Sequence, residues 1–238
     1  MFDPIQLTEA VEKEVCKGEK RKYYRFRGGR FYGGSAAADV VGCNLRCVFC
    51  WSKGSVRTDI GEFYSPEEVA EKLDRIAKSR GYYIVRLTGG EPTLCKEHLI
   101  EVIRLVTRKY LFVLETNGIL IGYDEDLAKR LASFDNLLVR ISVKAPDPKT
   151  FSKVTGAREE AFDYVVRAFE SLVRYGLEPP RLRAAVVLGY GDPKEFIERL
   201  AEIHPALVEV EPEVLTLYPS VAKRLRKANL LPKVYRVP

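Results

Sequence analysis

Side-chain amides are nearly missing from this chain of 238 residues. Gln6 is the one glutamine, and Asn44, Asn117, Asn136 and Asn229 are the only asparagines, set against 39 Lys and Arg and 33 Asp and Glu. Proteins adapted to heat shed thermolabile amides and gain charge in this way, so the scarcity speaks to habitat rather than to reaction. No run approaches the eighteen or so apolar residues of a membrane-spanning helix, which excludes that class. The opening Met-Phe-Asp-Pro-Ile-Gln has neither a basic nor an apolar stretch, so no secretory leader is read there. The two histidines, His98 and His204, fall in helical stretches without metal-ligand spacing and read as structural. Five cysteines are too few for a disulfide framework when three share one loop, which points to a reducing, cytoplasmic setting.

At 46% hydrophobic and 30% charged, the chain has an ordinary globular composition and the length of one domain with small extensions. Its net charge of +6 is unevenly spread. Residues 17–30 carry +6, and residues 223–238 carry another +6 with no acid, which leaves −6 on the rest. Positive potential therefore belongs to the two ends. Residues 22–32 (KYYRFRGGRFY) interleave cations with aromatics, a pattern that could stack on bases and pair with phosphates. The plainer reading is a strand with Tyr24, Phe26 and Phe31 turned inward and the arginines in water.

Residues 1–22 read as a short amphipathic helix, and from Ser35 the pattern alternates strand with helix. Strands are expected at Ala36–Val41, Tyr82–Thr88, Tyr110–Leu114, Leu137–Val143, Leu182–Leu188 and Leu207–Glu211. Helices are expected after Ser65, around Leu99–Thr107, near Glu125–Ser133, over Glu159–Tyr175 and over Lys194–Ile203. Ser65-Pro66-Glu67-Glu68 carries the marks of a capped helix start. Strands alternating with amphipathic helices predict a parallel sheet. Six such units fall short of the roughly 250 residues of a closed eight-fold barrel. The fold class is α/β, a partial (βα)6 TIM-like barrel at 35–217 with short extensions at 1–34 and 218–238.

Cys43-Asn-Leu-Arg-Cys47-Val-Phe-Cys50 puts three thiolates, at spacings of four and three, on one short loop directly after the first barrel strand. Soft sulfur ligands select iron–sulfur clusters and zinc, and three ligands leave one coordination position open. A zinc site completed by the distant Cys16, Cys95, His98 or His204 is the competing reading. Otherwise Cys16 and Cys95 read as buried or incidental thiols, with no auxiliary cluster. In barrel enzymes the chemistry sits at the C-terminal ends of the strands. Here those ends carry the cysteine loop, Gly89-Gly90-Glu91-Pro92, Glu115-Thr116-Asn117-Gly118 and Ser142-Val-Lys144.

The C-x3-C-x-aromatic-C loop, with Phe49 as the aromatic, resembles the signature of the radical S-adenosylmethionine (SAM) superfamily. Gly89–Pro92 matches that family's GGEP stretch. The resemblance implies a [4Fe–4S] cluster on Cys43, Cys47 and Cys50, with SAM chelating the open iron. An electron from the cluster then cleaves SAM to a 5′-deoxyadenosyl radical, which takes hydrogen from a substrate. It further implies that the backbone and carboxylate of the GGEP stretch hold the methionine amino group and that the Phe49 backbone meets the adenine. Glu115, Thr116 and Asn117 resemble an E-T-N-G stretch of the activating-enzyme branch. Ser142 and Lys144 stand where that branch has a pair contacting the cofactor carboxylate or ribose. Ser142 replaces an aspartate common there. Arg183 is a further candidate for the carboxylate. The implied partners are SAM, an electron donor such as ferredoxin or flavodoxin, and a protein glycine as target. RNA or a nucleoside, engaged through the basic ends, is the alternative target, and a non-catalytic metal-binding protein is a third reading.

Overall fold

Helix starts follow the caps written in the sequence. Asp3 accepts from the Ile5 N–H to open α1 (Pro4–Val15). Ser65 and Glu68 exchange bonds in a full capping box at α2 (Pro66–Arg80), which Gly81 ends in the left-handed region at φ 64°. The computed structural model describes residues 1–52 and 56–238. After α1, strand β1 (Cys16–Lys17) turns back into β2 (Lys20–Gly29), so the first helix ends seven residues sooner than expected. The chain then runs through β3 (Ser35–Val40), the cysteine loop, β4 (Glu62–Tyr64), α2, β5 (Ile84–Gly89), α3 (Lys96–Val106) and β6 (Leu111–Thr116). Next come α4 (Ile119–Tyr123), α5 (Glu125–Ala132), β7 (Leu137–Val143), α6 (Pro148–Thr155), α7 (Phe162–Arg174), β8 (Leu182–Val187) and α8 (Lys194–Ile203). Last are β9 (Glu211–Glu213), β10 (Leu215–Thr216), α9 (Pro219–Lys227) and β11 (Tyr235–Arg236).

Strands β3, β5, β6, β7, β8 and β9 pair in parallel in that order, giving the six barrel units. Strand β2 adds an antiparallel edge along β3. One face of the sheet is apolar: Val85, Leu87, Phe112, Leu114, Val139, Ile141 and Val143 are all buried in the main core with residues of the helices. Because side chains alternate along a strand, the opposite face is set by the residues between them.

Several expectations need correction. The sixth strand is Glu211–Glu213; residues 205–208 form a 3-10 turn begun by Pro205 and capped by His204, whose Nδ1 accepts from the Ala206 N–H. Helices α4 and α6 went unread, and a 3-10 turn at Glu159–Ala161 precedes α7. In β2 a register shift between Tyr23 and Arg25 changes the alternation. Tyr23 and Arg21 are fully buried, whereas Phe31 is 61% exposed and lies flat against Arg86, 4.5 Å from ring centroid to guanidinium. The arginines do not simply face water either, since Arg25 and Arg27 both hold the buried Asp39.

Cys16 and Cys95 are neither free nor incidental; they form a disulfide spanning 79 positions. Their pairing depends on β1 folding back under the segment that follows Gly89–Pro92, a long-range placement that spacing does not reveal. A small number of cysteines therefore did not mean all-reduced cysteines. His98 is buried nearby. Its Nδ1 lies 2.7 Å from the Glu19 carbonyl, so Nδ1 carries the proton and Nε2 accepts from the Tyr23 hydroxyl at 2.8 Å. Burial lowers its pKa to about 4.

Two stability predictions follow from these contacts. Closing so long a loop contributes about 4 kcal/mol by the chain-entropy account. Reduction by dithiothreitol is expected to lower the unfolding free energy by roughly 2–4 kcal/mol, and a Cys16→Ser variant is expected to be insensitive to the reductant; both are read by urea titration. His98 binds a proton more weakly when folded, so its contribution is full above the unfolded pKa near 6.5 and is lost as pH falls toward about 4. The loss is about 3 kcal/mol, and His98→Asn is expected to flatten that part of the stability–pH curve.

Candidate active site

The cysteine loop and the glycine turn are joined backbone to backbone. The Gly90 N–H donates to the Val40 carbonyl at 2.9 Å and the Glu91 N–H to the Gly42 carbonyl at 2.7 Å. A Cβ on Gly90 would collide with the Gly42 carbonyl oxygen, and Gly89 sits at φ +102°, so both glycines are required by the approach of the two chains. The Arg21 guanidinium is buried beneath this junction. It donates to the carbonyls of Pro92 (2.9 Å), Glu91 (2.6 Å), Leu94 and Val41 (3.4 Å). Burial lowers its pKa, and no carboxylate bonds to it directly, so its charge is met by carbonyl dipoles.

Glu91 is buried too. Its Oε1 accepts from the Thr93 N–H, the Thr93 hydroxyl and the Thr116 hydroxyl, at 3.0, 2.7 and 2.7 Å, and its Oε2 accepts from the Asn117 N–H at 2.8 Å. The carboxylate thus ties the second strand end to the third. Asn117 Nδ2 in turn donates to Asn44 Oδ1 (2.8 Å) and lies 3.9 Å from Cys43 Sγ. Pro92, whose carbonyl Arg21 holds, stays behind the turn.

Beyond this junction opens a cavity of about 160 Å³. Of the residues singled out in the sequence, Cys47, Cys50, Phe49, Gly89, Gly90, Glu91, Glu115, Thr116, Asn117, Ser142 and Lys144 line it. Trp51, 55% exposed, stands at its edge, and the Phe49 ring is buried and stacked on Tyr190 with centroids 5.7 Å apart. Cys43 lies behind the loop, accepting from the Leu45 N–H at 3.4 Å. Burial pushes the Cys43 thiol up and the Cys47 thiol up to about 12, and binding a metal favours the thiolate form of such ligands. Asn44 Nδ2 is buried without a partner among the described residues, a donor suited to sulfur at the cluster position. The residues present therefore fit a [4Fe–4S] cluster. The groups that would complete a zinc site are engaged elsewhere, in the disulfide, the His98 bonds and the His204 cap.

The far wall holds residues that the sequence reading missed. Lys144 Nζ donates to Ser142 Oγ at 2.7 Å, and that hydroxyl donates to Glu213 Oε2 at 2.7 Å. Burial opposes the Lys144 charge, but Glu213 and the loop cysteines raise its pKa overall. Strand β9 thus supplies the acid that Ser142 lacks. Arg140 bonds Glu211 at 2.7 Å, and Glu115 accepts from Arg86 and from Tyr32, both at 2.9 Å. The signal for Arg140 and Glu213 was the alternation in LLVRISV and in EPE. Arg183 does not join the cavity wall; it bonds Glu211 (3.1 Å) and the Pro180 carbonyl (3.2 Å).

A parallel six-unit sheet with cysteines, glycine turn and polar strand ends around one cavity defines a partial-barrel enzyme of the radical SAM fold. Residues 39–204 match the family described as the Radical SAM superfamily, and the chain belongs to it. It is 34% identical over 177 residues to the Probable GTP 3',8-cyclase of Thermoplasma volcanium, covering 72% of this chain and 51% of the relative. It is 31% identical over 218 residues to the Probable GTP 3',8-cyclase of Saccharolobus islandicus, covering 80% and 67%. The chain spans about half the length of the first two curated relatives that it matches. Streptococcus suis SuiB bound to S-adenosylmethionine shares the fold at 20% identity and a TM-score of 0.54, covering 68% of this chain and 35% of that one. The cofactors are accordingly a [4Fe–4S] cluster and SAM.

Gly90→Ala tests the junction. The added Cβ must push the glycine turn off the cysteine loop, an overpacking cost of about 1–3 kcal/mol. SAM affinity, measured on the reconstituted protein by equilibrium dialysis, is expected to fall by tenfold or more.

Proposed function

We propose that this radical SAM enzyme takes hydrogen from a small, polar, anionic substrate of the nucleotide class rather than from a protein glycine. The observation that carries this reading is the lining of the barrel interior. Arg25 and Arg27 on Asp39, Arg86 on Glu115, Arg140 and Arg183 on Glu211, and Lys144 through Ser142 on Glu213 form a nearly continuous belt of charge. Most barrel interiors are filled by layers of branched apolar side chains. Each cation is held by a carboxylate that an incoming phosphate or carboxylate could replace, which suits arginine's paired bonds, and Arg140 and Lys144 are the two of them that line the cavity. The names of the 31–34% identical relatives point the same way.

When bound, the cluster supplies the electron that cleaves SAM, with Cys43, Cys47 and Cys50 as its ligands. This chain's own residues bind, orient and shield. The backbone of Gly89 and Gly90 faces the cavity beside the cysteine loop and is suited to hold the methionine part of SAM. Glu91 keeps Thr116 and Asn117 in place for that task. Lys144, held protonated, is suited to the cofactor carboxylate, with Ser142 and Glu213 fixing its position. The Phe49 backbone is offered to the adenine, while its ring, locked on Tyr190, keeps that wall dry. On this reading the protein works in the cytoplasm beside an electron donor.

The test is anaerobic reconstitution followed by assay with dithionite. Wild type is expected to yield 5′-deoxyadenosine, and Cys47→Ala essentially none. Purine nucleoside triphosphates are expected to speed that yield by tenfold or more and, when deuterated on the ribose, to pass deuterium into 5′-deoxyadenosine. Transfer instead from a glycine-deuterated partner protein would overturn the substrate class and leave the family assignment standing.

A further inference from the structure

We infer that the outward face of α9 is the docking surface for an acidic one-electron carrier protein, an inference that rests on the radical SAM reading above. Helix α9 buries Val221, Ala222 and Leu225 and turns Lys223, Arg226 and Lys227 into solvent. No acidic residue follows Glu213 in the chain, and none of these three cations is in an ion pair among the described residues. They line no part of the cavity either, so their field addresses a partner too large to enter it.

The position of the patch selects the partner. The fourth cation, Arg224, reaches back to the cysteine loop. Its Nε donates to the Val48 carbonyl at 3.1 Å, and its guanidinium also donates to the carbonyl of Cys50. The helix is therefore fastened directly to the backbone of a cluster-ligand residue. The segment after it continues the attachment. Leu230 accepts from the Tyr190 hydroxyl at 2.8 Å, and the Lys233 N–H donates to the Gly189 carbonyl at 3.1 Å. Electron transfer weakens steeply with distance, so a carrier gains from sitting where the surface and a ligand cysteine share a short covalent and hydrogen-bonded path. A nucleic acid would answer to the charge but makes no use of an electron path. A basic platform steers an acidic protein at long range and fixes its approach. One electron passes from the reduced carrier to the protein-bound cluster; no bond is made, and no proton or group crosses the interface.

An acidic flavodoxin serves as the probe, and the variant is Lys223→Glu/Arg226→Glu/Lys227→Glu, which leaves Arg224 in place. With reduced flavodoxin driving SAM cleavage at low salt, the KM for flavodoxin is expected to rise at least tenfold. The rate with dithionite is expected to be unchanged. Calorimetric binding of oxidised flavodoxin to the oxidised holoprotein is expected to weaken in parallel, and in the wild type with rising salt. The neutral variant with three glutamines should fall between the two. An unchanged KM, or an equal loss with dithionite, overturns the proposal. So does a wild type that binds RNA with a steep salt slope, if the variant loses RNA and keeps flavodoxin kinetics. If the wild type cleaves no SAM even with dithionite, the proposed function fails, and the calorimetry still decides the docking.

Discussion

The contact on which the rest depends is the junction of two backbones, the cysteine loop leaving β3 and the glycine turn leaving β5. Two N–H to carbonyl bonds close it, a missing Cβ at Gly90 permits it, and a buried arginine gathers the carbonyls around it. Backbone bonds rather than side-chain bonds close this junction, and a side chain at Gly90 would prevent it. Arg21 is an unusual choice for the purpose, since a buried charge is costly unless its donors are met. Four carbonyl groups meet them here, although Arg21 Nε is left over.

That arginine arrives from outside the barrel. Cys16 and Arg21 are register partners in the β1–β2 hairpin, and Cys16 is bonded to Cys95, five residues beyond Gly90. The N-terminal segment therefore holds the turn twice, once by charge and once covalently. The C-terminal segment does the corresponding work on the cysteine loop through Arg224 and Leu230. The two ends that looked like appendages with surplus charge brace the glycine turn and the cysteine loop.

The barrel interior follows a different rule from the core. On the helix-facing side, buried valine, leucine and phenylalanine supply the hydrophobic stabilisation. On the other side, acids and bases from neighbouring strands pair, Arg86 with Glu115 and Arg140 with Glu211 among them. Tyr32, held in the left-handed region at φ 58°, is carried across to Glu115, so the turn between β2 and β3 also completes this wall.

The strands and helices from Ser35 to Ile203 were largely legible because the 3.6- and 2-residue periods, the Ser65 capping box and the bounding glycines are local signals. The close approach at Gly89 and Gly90 was legible because a tight backbone contact restricts residue type as well as spacing. Arg21 was not, since a buried arginine that reads carbonyls looks in sequence like any surface arginine; for Arg140 and Glu213 the alternation marks a face, but their partners lie on other strands. Arg183 shows the reverse error: a strand arginine of the right kind, whose partner Glu211 lies on the neighbouring strand.

By itself, then, the sequence determined the α/β alternation, the three cysteines on one loop, and the glycines that let another stretch of backbone come near. Those properties are written in periods and spacings within a few residues. Which faces close on which, that Cys16 meets Cys95, that Glu213 completes the Ser142–Lys144 pair and that α9 lies on the cysteine loop were decided only by the tertiary structure. Each of these joins groups many residues apart, and one residue of register shift, as at Tyr23–Arg25, exchanges inside for outside.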